Sequence, residues 1–122
     1  MNSGNPYELL ADRLELVATQ VREIESLGRK ALYAGNDEDA YRDFMRQKAM
    51  KLAGLADEVA SQAQLVDDAL KERIELFSFS ASQALKVGSV FFMSALLYPE
   101  DYREGDPNDL ENFVVKVRAM VK

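Results

Sequence analysis

The sequence predicts an all-α fold, and three observations carry that prediction. Gly and Pro are scarce (6 and 3 in 122 residues), while the helix formers Ala, Leu, Glu and Lys are plentiful. Apolar residues recur at alternating spacings of four and three along three long stretches, the 3.5-residue seam of helices packed side by side. Capping and turn residues fall between those stretches. The expected architecture is an antiparallel helical bundle of three long helices and one short C-terminal helix, four-helix-bundle-like, in one domain over 1–122. The helices are placed at about 6–34, 37–65, 68–98 and 107–121, after a disordered tail at 1–4.

The first helix starts at a strong signal. Asn5 can cap, Pro6 suits the first helical position, and Glu8 sits where a capping box wants a carboxylate. Leu10, Leu14, Val17, Val21, Ile24, Gly28 and Ala31 then form an unbroken seam. Gly28 on that seam reads as a close helix contact, and Gly35 as the left-handed cap that ends the helix at Ala34.

Asn36 or Asp37 caps the second helix, whose acidic start suits the positive end of the helix dipole. Its seam is Met45, Ala49, Leu52, Ala56, Val59, Ala63, Val66 and Leu70, extended towards the turn by Tyr41 and Phe44. With Ile24, Leu27, Gly28, Ala40 and Phe44 at suggestive spacings, the hairpin about Gly35 superficially resembles a tetratricopeptide or MIT-type hairpin. No repeat follows at the required period, the first helix is too long, and no family is assigned.

A third seam runs through Leu70, Ile74, Phe77, Ala81, Ala84, Gly88, Phe91 and Ala95. Continuing the second seam past Leu70 predicts Arg73, yet the apolar residue is Ile74, so the register slips there. A turn at about 64–68, capped by Asp67 or Asp68, is preferred. The alternative is one continuous second-and-third helix, which buries its seam only in a dimer. Pro99 ends the third helix. Asp106, with Pro107 behind it and Asp109 in the first turn, is expected to cap the fourth, whose apolar stripe is Leu110, Phe113, Val114, Val117 and Val121.

The stretch 76–99 carries Lys86 as its only formal charge, in a chain where charged residues make up 30%. It must be surrounded by its own chain or by a partner. Lys86, Gln83 and five serines within it, and the lack of a basic belt or Trp beside it, argue against a membrane span. Ser80, Ala84 and Gly88 are read as a close-packed first half. The second half carries more apolar surface than a short fourth helix covers.

Composition excludes several chemistries. A net charge of −6 opposes nucleic-acid binding, and the basic cluster Arg42, Arg46, Lys48 and Lys51 lies among acidic neighbours, which reads as a solvated mixed-charge face. With no histidine and no cysteine, Ser-His and Cys-His pairs and His-bearing metal sites are impossible, and no disulfide can form. The N-terminus lacks a basic segment leading into an apolar one, so a cytoplasmic protein is expected. No cofactor is expected, since no glycine-rich phosphate loop is present.

Two candidate sites remain. Phe91, Phe92, Met93, Tyr98 and Tyr102 are candidates for docking a partner helix or a second subunit, adaptable Met and aromatic residues being favoured at interfaces. That makes the chain a non-enzymatic binding or assembly module, chaperone-like or adaptor-like, with a protein partner or itself as a homodimer. The alternative is a Mg-dependent all-α nucleotide pyrophosphohydrolase using Asp57, Glu58, Glu72 and Glu75. It requires those carboxylates to converge in space.

Overall fold

A computed structural model describes residues 4–121, which are helical and joined by turns, with no strand among them. Of the tail expected at 1–4, only exposed Gly4 lies among the described residues. The first helix, α1 (Pro6–Tyr33), is continuous over 28 residues, about 42 Å at ~1.5 Å per residue. Asn5 caps it, its side-chain oxygen accepting from the Tyr7 and Glu8 N–H groups. Leu10, Leu14, Val17, Val21 and Gly28 are buried along the expected seam. A Cβ added at Gly28 would stand 3.1 Å from Met45 Cε and 3.3 Å from Phe44 Cβ, so the glycine does mark a close approach to the next helix. The left-handed residue in the turn is Asn36 (φ 52°), not Gly35 as the sequence suggested. Asn tolerates that conformation because its short polar side chain bonds locally.

The second seam faces the core as expected, but not on one helix. It is divided among α2 (Glu38–Ala53), α3 (Leu55–Glu58) and α4 (Ala60–Ala63). Asp37 caps α2, accepting from the Ala40 N–H at 3.0 Å. The break at Gly54 has a cause that lies elsewhere in the chain. Ser78 Oγ donates to the Leu52 carbonyl (3.1 Å) and accepts from the Ala56 N–H (3.0 Å). Those two groups would otherwise form one rung of the helix ladder, and the inserted hydroxyl satisfies both while the backbone bends.

A turn does separate the second and third stretches. Helix α5 (Asp68–Val87) begins after Asp67, whose carboxylate accepts the Tyr7 hydroxyl (2.9 Å) instead of capping the backbone. The third stretch is not one helix either. Gly88 (φ 74°) ends α5 as a left-handed cap, and nothing lies within 4 Å of an added Cβ there, so it is no packing contact. Ser80 is exposed as well, and of the three small residues only Ala84 is buried. After Ser89 the chain forms the short α6 (Val90–Ala95), and Leu97 (φ 78°) turns it away again.

The last helix, α7 (Asp109–Arg118), is capped by Asn108 rather than Asp106. Asn108 accepts from the Glu111 N–H (2.9 Å), and Glu111 reaches back to the Asn108 N–H (2.8 Å). The longer carboxylate three residues on completes a reciprocal box. Asp106 instead accepts from the Arg103 N–H within the loop.

The main core gathers Leu10, Leu14, Val17 and Val21 of α1, Leu52, Leu55 and Val59, Leu70 and Ile74 of α5, and Leu110, Phe113 and Val117 of α7. A smaller cluster joins Met45 and Ala49 of α2, Ala84 of α5 and Met93 of α6. That second cluster is what seats α6 on the rest of the molecule.

Candidate functional site

The five aromatic and methionine candidates are divided among three environments. Phe91 and Phe92 are exposed (70% and 51%), their rings edge to face at 5.7 Å. Met93 is fully buried in the smaller core, so it supports the surface from beneath and is no part of it. Tyr98 and Tyr102 are half-buried and line a different cavity, their rings packed edge to face at 4.6 Å.

Phe91 and Phe92 are joined by residues that the sequence did not single out. Leu76, Phe79 and Val87 on α5 are each more than half exposed. With Gln83 they fall at steps of three and four, a stripe along one side of the helix. A groove of about 470 Å³ opens beside them, lined by Phe79, Ser80, Ala84, Val87, Phe92 and Leu96 among others. On α1, by contrast, the exposed Leu9, Leu16 and Leu27 are spread about two and three turns apart along the helix.

The inner side of α6 is held by charge. Lys48, expected on a solvated face, is completely buried on α2. Its Nζ lies 2.9 Å from Glu25 Oε2 and donates to the Ser94 carbonyl at 2.8 Å. It also stands 4.8 Å from the centre of the Tyr98 ring. Tyr98 donates its hydroxyl to Glu25 at 2.6 Å and accepts from Arg22. Arg22 in turn grips Glu111 with two hydrogen bonds of 2.9 and 2.7 Å.

Burial lowers the Lys48 pKa from its ordinary value, opposed by Glu25. Burial and the bond to Glu25 raise that of Tyr98. The Arg22 hydrogen bonds hold the Glu111 carboxyl below its usual range, against a smaller opposing effect of burial.

This network floors a cleft of about 640 Å³ between α1, α2 and the loop before α7. Tyr33, Tyr41, Tyr98 and Tyr102 all line it, four of the chain's 5 tyrosines. Lys48 pairs with Glu25 and Arg22 with Glu111, so the charges at its base cancel in pairs.

The four carboxylates of the hydrolase reading are not brought together. Glu58 is engaged by Arg13 and Lys51, and Asp57, Glu72 and Glu75 are exposed. Among the described residues no group of three or more acidic side chains is placed to hold a metal. Likewise no described helix is long and apolar enough to cross a membrane.

Sequence reasoning missed Lys48 and Glu25, although a signal was present. Lys48 falls between Met45 and Leu52, and Glu25 between Val21 and Gly28, each at seam spacing and with opposite charge. Comparison of the chain with protein families, curated proteins and solved structures finds no match.

Proposed function

We propose that this protein is a non-enzymatic binding and assembly module that pairs with a second copy of itself through the face made by α5 and α6. We read its scaffold as an antiparallel bundle of three long helical stretches and one short one, and its setting as the cytoplasm. The observation that carries the reading is the run of large apolar side chains left to solvent on one face: Leu76, Phe79, Val87, Phe91 and Phe92. Together they offer on the order of 500 Å² of apolar surface, as much as the largest patch of an ordinary monomer, and such patches mark interaction sites.

Self-pairing is favoured over other occupants by shape and charge. The most exposed side chain of the face, Phe91, does not line the groove, whereas its neighbour Phe92 does. A two-fold axis would set the Phe91 of each copy in the groove of the other, since an isologous interface brings one patch onto itself. The chain carries a net charge of −6, yet between Leu76 and Pro99 only Lys86 is charged. Where 76–99 of one copy meets the same stretch of another, that stretch contributes no acidic side chain, so like-charge repulsion between carboxylates is confined to its ends at Glu72, Glu75 and Glu100.

Light scattering tests this across a concentration series. A dimer is expected, and Phe91→Glu is expected to yield monomers by placing a charge in a desolvated interface. A wild-type protein that is monomeric at high micromolar concentration overturns self-pairing. A monomer that then binds an amphipathic peptide helix in a Phe92-dependent way assigns the face to a client chain instead.

A further inference from the structure

Helix α6 is six residues long and is bounded by two backbone reversals, Gly88 at φ 74° and Leu97 at φ 78°. Leucine rarely adopts that conformation, and here its side chain is buried and its carbonyl accepts from the Asp109 N–H at 2.9 Å. Between those two points α6 is a separate unit. Its outward side carries Phe91 and Phe92, and its inward side rests on Met93 and on the Ser94 carbonyl. So short a helix cannot satisfy its own last carbonyls. Ser94 finds its donor in Lys48, a side chain with no exposed surface, fixed in turn by Glu25.

We propose that Lys48 and Glu25 are positioning residues for the docking face: they set where α6 sits and so where Phe91 and Phe92 project. This rests on the docking role given above to that face. A buried ion pair contributes little to stability relative to apolar side chains of similar volume, so stability alone is a poor account of keeping one here. What apolar side chains cannot supply is the donor for the Ser94 carbonyl. The pair also reaches Tyr98, just beyond the Leu97 reversal, through the Tyr98 hydroxyl on Glu25. Both ends of the segment after Met93 are therefore tied to one buried charge pair.

The test replaces both charges at once, Glu25→Met with Lys48→Met, so that neither is left buried alone. Three readings are taken on this variant beside wild type and Phe91→Glu: thermal midpoint, self-association by light scattering, and hydrogen exchange of the backbone amides. The expected double variant melts within a few degrees of wild type, associates roughly tenfold more weakly, and exchanges faster at residues 90–97 while the α1 amides are unchanged. Unaltered exchange at 90–97, or unaltered association while Phe91→Glu still dissociates the dimer, overturns the positioning role and leaves the docking face standing. A double variant that does not fold makes the pair structural, and the proposal falls. If Phe91→Glu also associates like wild type, it is the docking reading that fails.

Discussion

Helix α1 and the stretch from α2 to α4 carry equally regular apolar seams, yet one is a single helix and the other is three. Every seam position of the second stretch still faces inward, with Met45, Ala49, Leu52, Val59, Val66 and Leu70 buried. A seam reports which side chains turn towards the core; it says nothing about whether each backbone rung is closed. Along α1 the rungs run unbroken from Pro6 to Tyr33. At Gly54 one rung is opened by a hydroxyl from α5. The difference between the two stretches is thus made by a residue 22 positions away from the amide it binds.

Removing that hydroxyl tests the origin of the difference most directly. Ser78→Ala leaves the Leu52 carbonyl and the Ala56 N–H without their partner in a partly buried place. A loss of about 1–3 kcal/mol is expected in urea unfolding. Recovery of wild-type stability would mean that the two stretches differ for another reason.

The two glycines at the breaks should respond in opposite directions. Gly88 sits at φ 74°, where a side chain is strained, so Gly88→Ala should cost about 1–2 kcal/mol. Gly54 sits at φ −87°, with no atom closer than 3.7 Å to an added Cβ. Gly54→Ala should therefore stabilise by roughly 0.4–1 kcal/mol through the unfolded chain. Thermal midpoints moving the same way in both variants would contradict this account of the breaks.

The smallest effect concerns the Arg22–Glu111 pair, which ties α1 to α7. The Glu111 carboxyl is lowered from its usual 4.5, so its contribution is complete above that pH and is lost as pH falls through the lower folded value. Glu111→Gln keeps a side chain able to close the Asn108 box. It should cost less than about 1 kcal/mol near neutrality, since both side chains remain about a third exposed and water screens the pair. It should also make the acid unfolding curve shallower below pH 4.5. An acid limb identical to wild type would mean the pair contributes nothing.

These contrasts show what could be read in the sequence and what could not. Asn5, Pro6 and Asp37 were legible because capping is decided within four residues. Gly28 was legible because it interrupts a row of larger apolar residues. Gly88 fits a seam and a left-handed cap equally well, and only the backbone distinguishes them. The rung filled by Ser78 was invisible because its partners meet only in the folded chain. Of the exposed apolar side chains on α5 and α6, Phe91 and Phe92 stand out in the sequence, whereas Leu76, Phe79 and Val87 read there as part of a surrounded helix. Lys48 and Glu25 were lost among the charges of a chain that is 30% charged.

The clustering of tyrosines gives the molecule a built-in optical gauge. The chain has no tryptophan, and four of its 5 tyrosines surround one cleft. Its near-ultraviolet absorbance, circular dichroism and intrinsic emission therefore come largely from the place where α6 and the following loop meet α1 and α2. A shift in the seat of α6 should alter those spectra while the far-ultraviolet helical signal stays constant, with no label added.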